Sequence, residues 1–191
     1  GYLLMLALDE AGFPPGVINM ITGDGKPCLP SILTHPELSA VNFTGSFATA
    51  RIFGNYLFNT ENSRMNFPRF IAETGGKDFL VADKNIDVVD TARCIVQGAF
   101  GRSGQKCSAN SVALIDEKVW PELKNVLLVE TKALKVCNPT ERLCDVGPVI
   151  NERQFNKITA FIERAKKDSN CKIIAGRSEE RRVGKECRIG C

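Results

Sequence analysis

Ala40-Val41-Asn42-Phe43-Thr44-Gly45-Ser46-Phe47-Ala48-Thr49-Ala50-Arg51-Ile52-Phe53-Gly54-Asn55-Tyr56-Leu57 decides the fold class. Ala40–Thr44 has the apolar, β-prone character of a strand. Gly45-Ser46 then opens a helix that runs to about Leu57, with Ser46 suited to be its N-cap. Arg69–Glu73 predicts a further strand that ends at an acid. Strand–helix alternation of this kind argues for an α/β protein with a parallel sheet.

Upstream, Tyr2–Glu10 reads as the end of a helix, with Gly12 placed where a left-handed cap is wanted. Val17–Ile21 predicts a short buried strand, followed by the loop Thr22-Gly23-Asp24-Gly25. Pro30–Leu33 and a His35-Pro36 turn lead into Ala40, and Asn59–Phe67 is a polar connector. After Gly75-Gly76 the pattern restarts with a strand at Phe79–Ala82. Asp87 then caps a helix with apolar positions Val88, Val89, Ala92, Ile95, Val96 and Ala99. Gly101 and Gly104 stop that helix, Cys107 follows in the loop, and Ser111–Ile115 leaves it as a β-rich run. Trp120, Leu123, Leu127 and Leu134 mark another helix. Asn151 and Gln154 form a capping-box start for the next, which is expected to turn Phe155, Ile158, Ile162 and Ala165 inward. Cys171–Ala175 predicts a last strand.

The 191 residues can bury a core, and 43% hydrophobic with 25% charged residues is a globular composition. The longest apolar run, near Tyr2–Leu8, is too short to span a bilayer. A start at Gly1 without an initiator Met points to a fragment whose beginning lies upstream. The eight cysteines are irregularly spaced and several fall in apolar stripes. They are expected to be reduced, mostly buried thiols in an intracellular compartment. Cys137 and Cys144 have no second pair and no nearby His, so no zinc or other metal site is expected.

From Arg177 onward apolar periodicity disappears. Residues 177–191 resemble translated sequencing-adapter DNA and are set aside as a foreign tail. They carry five basic and three acidic residues and two of the cysteines, and without them the net charge falls from +3 to +1. No basic field then remains for nucleic acid or an anionic membrane, and neither is an expected partner.

Chemistry concentrates at two places, Glu73 in Glu73-Thr74-Gly75-Gly76-Lys77 and Cys107 in Gly104-Gln105-Lys106-Cys107-Ser108, thirty-four positions apart. An aldehyde has no leaving group, so its oxidation by hydride transfer starts from a tetrahedral adduct. A thiolate forms that adduct well, and the thioester that follows is hydrolysable. Cys107 sits in a glycine-containing loop beside Lys106 and Ser108, and its N–H is a candidate to help stabilise a developing oxyanion. Glu73, at a strand end before two glycines, suits a base that deprotonates the hydrolytic water. Taken singly, a Cys near glycines is more often structural, and a Glu before Gly-Gly is an ordinary surface turn. Hydride transfer also asks for a dinucleotide. Thr44-Gly45-Ser46 at a strand–helix junction offers N–H groups to a pyrophosphate, although no Gly-x-Gly-x-x-Gly is present. His35, the sole histidine, reads as a loop residue before a proline.

Ala11-Gly12-Phe13-Pro14-Pro15-Gly16-Val17, Phe43-Thr44-Gly45-Ser46, Glu73-Thr74-Gly75-Gly76-Lys77 and Gly104-Gln105-Lys106-Cys107 resemble the aldehyde dehydrogenase superfamily, in order and across nearly all of residues 1–176. Phe67-Pro68-Arg69 and Gln105-Lys106-Cys107-Ser108-Ala109 resemble the branch that oxidises L-glutamate γ-semialdehyde to L-glutamate in proline catabolism. The alternatives are an enzyme for another aldehyde or a non-catalytic fragment. The resemblance implies Cys107 as nucleophile, Glu73 as deacylating base, NAD as cofactor, and Gly23, Gly45, Ser46 and Thr49 along its diphosphate. Ala50 stands where many relatives carry Gly. Lys106 and Ser108 are expected to help hold an acidic substrate.

The implied architecture is the C-terminal part of a Rossmann-like coenzyme domain in residues 1–74, then the N-terminal part of an α/β catalytic domain in residues 75–176. It also implies that other cofactor and substrate contacts lie outside the chain, so that the 191-residue polypeptide alone is inactive. The expected setting of the intact parent is a homo-oligomer acting on a small aldehyde, in the mitochondrial matrix of a eukaryote or the cytoplasm of a bacterium.

Overall fold

A computed structural model describes residues 1–23, 25–59 and 65–176. The chain divides into two compact units, Gly1–Thr74 and the residues from Gly75 onward. Each contains a strand–helix–strand crossover with its two strands parallel.

In the first unit, α1 (Tyr2–Glu10) is closed by a Schellman cap. The Phe13 N–H reaches the Leu8 carbonyl at 3.2 Å and the Gly12 N–H reaches that of Asp9 at 3.0 Å. Gly12 takes the left-handed φ of 80° that this closure needs. Helix α2 (Gly25–Leu33) leads through the His35–Leu38 turn to β1 (Ala40–Gly45). Next come α3 (Phe47–Leu57) and β2 (Arg69–Thr74). Strand β2 lies parallel to β1, in register from Ala40 opposite Arg69 to Gly45 opposite Thr74. The core is Leu33, Phe53 and Leu57, against which Val41, Phe43 and Phe70 of the strands pack. The Phe43 and Phe53 rings meet at 4.6 Å, tilted by 48°.

The second unit begins with β3 (Asp78–Ala82) and crosses over through α4 (Val88–Phe100) to β4 (Asn110–Ile115). An irregularity between Asp78 and Phe79 sets Asn110 opposite Asp78 but Val112 opposite Phe79. Asp87 caps α4 by accepting the Asp90 N–H at 2.9 Å. Helix α5 (Trp120–Ala133) packs Leu123 against Ala82 and Ala92, and these three form the core. Asn151 caps α6 (Glu152–Lys167), its side chain accepting the Gln154 N–H at 3.0 Å.

Four expectations need correction. Val17–Ile21 and Cys171–Ala175 are not strands, because strand character is conferred by a hydrogen-bonded neighbour and neither run has one among the described residues. Phe155 and Ile158 of α6 are exposed, and no residue of that helix is fully buried. The thiols are not mostly buried: Cys28, Cys94, Cys107 and Cys171 are exposed, Cys137 and Cys144 half-buried, and all six are free. Cys94 shows why. Helix α4 buries the stripe of Ala92 and Val96, and a residue two positions away points about 200° around the helix. Residues 177–191 lie outside the described chain. No helix among the described residues is long and apolar enough to cross a membrane. None of their His, Cys, Asp and Glu side chains cluster in a group of three that could hold a metal.

Candidate active site

The parallel register of the first unit aligns two of the sequence motifs. Thr44 is opposite Glu73 and Gly45 is opposite Thr74, so the acid and the start of α3 emerge side by side at the carboxyl ends of β1 and β2. That edge of a parallel sheet is where α/β proteins bind ligands. Glu73 is exposed.

Ser46 caps α3 from extended backbone, φ −77° and ψ 144°, its Oγ accepting the Thr49 N–H at 3.1 Å. The Ser46 and Thr49 hydroxyls are themselves 2.8 Å apart. In the first turn, Phe47 and Ala48 have N–H groups with no acceptor inside the helix. A Cβ on Gly45 would meet the Phe43 ring at 2.5 Å, so the residue at the turn into the helix has no side chain to obstruct an approaching anion. Ala50 is buried, inside α3 rather than at its open end. Gly23 has φ 127° and makes no hydrogen bond to Gly45, Ser46 or Thr49 among the described residues. His35 is a loop residue whose Nδ1 accepts the Glu37 N–H at 3.3 Å. Replacing Ser46 by Ala is expected to cost about 0.5–2 kcal/mol. A urea midpoint unchanged in Ser46→Ala would show that the cap carries no stability.

The second unit builds the cysteine's turn from unusual backbone. Helix α4 ends at Phe100, and Arg102 (φ 51°) and Ser103 (φ 59°) then adopt left-handed conformations, followed by Gly104 at φ 68°. Two successive non-glycine residues in this region cost on the order of 1–3 kcal/mol each, so surrounding contacts must hold them. Those contacts come from the segment before α6. The Ser103 Oγ donates to the Gly147 carbonyl at 2.8 Å. The Gln105 amide donates to the Pro148 carbonyl at 3.4 Å and accepts the Ile150 N–H at 2.8 Å.

Beyond this grip, the Ala109 N–H reaches the Lys106 carbonyl at 3.1 Å, closing a turn with Cys107 and Ser108 at its two corners. Cys107 is therefore an exposed, free thiol at the tip of a tethered turn, with Lys106 and Ser108 exposed on either side. Because β3 and β4 run parallel from Asp78 and Asn110, the residues just before them also lie side by side. A Cβ on Gly76 would overlap the Cys107 carbonyl oxygen and lie 2.9 Å from its carbonyl carbon.

The two glycines of Glu73-Thr74-Gly75-Gly76-Lys77 thus serve different needs. Gly75 has φ 72°, with open space around its missing Cβ, whereas Gly76 is required by close approach. Sequence reading found the paired glycines but not the contact, and it did not identify Ser103 or Gln105 as supports. The signal for Gly76 was a second glycine beyond the one that a turn needs.

The model of the aldehyde dehydrogenase family matches residues 1–188, which runs into the segment read above as foreign. The 1-pyrroline-5-carboxylate dehydrogenase of Staphylococcus saprophyticus is 42% identical over 175 residues, 92% of this chain and 34% of that protein. That of Oceanobacillus iheyensis is 38% identical over 180 residues, 94% of this chain and 35% of the relative. Among solved structures, the Delta-pyrroline-5-carboxylate dehydrogenase from Mycobacterium tuberculosis bound with NAD is similar with a TM-score of 0.88 and 37% identity. The match covers 92% of this chain and 33% of that one. The chain spans about a third of the length of these relatives. It belongs to the aldehyde dehydrogenase family.

Proposed function

We propose that this chain supplies the nucleophile and the deacylating base of an NAD-dependent enzyme that oxidises L-glutamate γ-semialdehyde to L-glutamate. The observation that carries the reading is the setting of Cys107: an exposed free thiol on a tethered turn whose backbone packs on Gly76 of the motif that holds Glu73. Only Thr74 and Gly75 separate Glu73 from Gly76 in the chain. The relatives from S. saprophyticus and O. iheyensis are named for 1-pyrroline-5-carboxylate, the cyclic imine that this semialdehyde forms by losing water, and that favours the same substrate.

The β1–α3 junction suits the cofactor. Gly45, Ser46 and Thr49 would hold the diphosphate at the start of α3, with Gly23 in the preceding connector, and NAD when bound supplies the hydride acceptor. The residues of this chain then have the following parts. The Cys107 thiolate adds to the aldehyde carbon, giving a hemithioacetal whose oxyanion the Cys107 N–H stabilises. Loss of hydride leaves a thioester on Cys107. Glu73 takes a proton from water as its oxygen attacks the thioester carbon. The C–S bond then breaks, releasing the carboxylate product and restoring the thiolate. Lys106 and Ser108, on either side of the nucleophile, assist in holding the substrate's acidic end.

The test compares kcat/KM for glutamate semialdehyde and for propanal in the full-length protein that carries this chain. A preference on the order of 10²-fold or more for the semialdehyde is expected from a site that grips the amino-acid end. Equal values would assign the chain to an enzyme for general aldehydes.

A further inference from the structure

Between α5 and α6 the segment Lys135–Val146 closes on itself. The Lys135 carbonyl accepts the N–H groups of Asp145 at 3.0 Å and Val146 at 3.1 Å. The Lys135 N–H donates to the Asp145 carboxylate at 2.8 Å, and Val136 bridges to Val146. Cys137 and Cys144 enter this closed loop from its two arms. The Val146 carbonyl oxygen receives the Cys137 N–H at 3.2 Å and the Cys144 Sγ at 3.5 Å, so one atom holds both residues. The Cys137 Sγ lies 3.6 Å from the Lys135 carbonyl. The Cys144 side chain is also the largest influence on the proton affinity of the Cys137 thiol, as expected of two groups drawn to one carbonyl. Both are half-buried, which leaves them open to a small reagent. No third metal ligand joins them among the described residues.

We infer that Cys137 and Cys144 form a dithiol site that a low-molecular-weight disulfide, of the class of oxidised glutathione, converts to an intramolecular disulfide. The thiolate of Cys144 attacks one sulfur of the reagent, whose S–S bond breaks and releases one small thiolate. Cys144 then carries a mixed disulfide. Cys137 gives up its proton and attacks the Cys144 sulfur, displacing the second small thiol. The protein loses two hydrogens and the reagent is reduced to two thiols. The order of attack follows from proton affinity. The hydrogen bond with Cys144 is the largest influence pushing the Cys137 thiol up to about 11, and burial and the charges of Cys144, Glu141 and Asp145 act in the same direction. Cys137 therefore keeps its proton near neutral pH and becomes the resolving thiol. Cys28, Cys94 and Cys107 are exposed free thiols, and for them the reagent is expected to yield only mixed disulfides.

The experiment incubates the full chain with oxidised glutathione at about pH 8, quenches with acid and N-ethylmaleimide, and maps the peptides by mass spectrometry. The peptide spanning Cys137 and Cys144 is expected to be two hydrogens lighter and closed to alkylation, while Cys28 and Cys94 carry glutathione. In Cys137→Ser, glutathione is expected to remain trapped on Cys144. In concentrated urea the bridge is expected to form about tenfold more slowly relative to glutathione addition, because the folded loop no longer orients the sulfurs. Glutathione on both Cys137 and Cys144 with no bridge in the native chain would overturn the inference. So would bridging at the same relative rate in urea.

Discussion

Cys107→Ala in the full-length enzyme is expected to lower kcat/KM by about 10⁴–10⁶-fold, the scale on which removal of an attacking group is felt. The reason is chemical. In the proposed mechanism the sulfur forms the tetrahedral adduct from which hydride leaves, and without it that adduct is not made. Folding should be unaffected, since the thiol is exposed and free. Glu73→Gln separates the two halves of the cycle. It should still form the thioester and stall before hydrolysis, giving a burst of NADH close to one equivalent per active site and then a slow steady rate. Cys107→Ala must show no burst. A burst in Cys107→Ala, or full steady-state turnover in Glu73→Gln, would remove these residues from the roles assigned to them.

The second large effect is expected at a residue with no side chain. In Gly76→Ala the new methyl overlaps the Cys107 carbonyl oxygen, and the obstacle is backbone rather than the movable end of a side chain. One of the two segments must shift. Overpacking of this sort costs about 1–3 kcal/mol. Displacing a nucleophile by an ångström costs on the order of 10²-fold in rate. Gly75→Ala is the control. No atom lies within 4 Å of its missing Cβ, so its cost is confined to holding an L-residue at φ 72°, about 1–2 kcal/mol, with Cys107 left in place. The pair can be compared by urea midpoint, kcat/KM and the rate of Cys107 alkylation by iodoacetamide. Gly76→Ala retaining wild-type alkylation and turnover would mean that the close approach has no bearing on Cys107.

What could be read from residues alone was what short spans determine. Ser46, Asp87 and Asn151 cap their helices because a side-chain oxygen three residues before a free N–H is a local relation. The strands β1 to β4 were legible because each is followed or preceded by a helix of opposite periodicity. Val17–Ile21 has the composition of a strand but lacks the partner that would make it one, and no window of five residues can supply that. Helix α6 was misread in the same way: its stripe of Phe155 and Ile158 is amphipathic, yet burial also needs a surface opposite. At the Cys107 turn the thiol and its flanking residues were visible in the sequence. The grip of Ser103 on Gly147 and of Gln105 on Ile150 spans 44 and 45 residues, beyond any motif.

That grip has a consequence for biosynthesis. Ser103 and Gln105 leave the ribosome well before the backbone they hold, which follows 44 residues later. At about 5–20 residues per second, this is a delay of roughly 2–9 s. During that interval the left-handed stretch lacks the hold of Gly147, Pro148 and Ile150, and the Cys107 sulfur is displayed on slack chain. Cys107 is translated early, but its turn acquires its final posture only when the segment ahead of α6 has emerged.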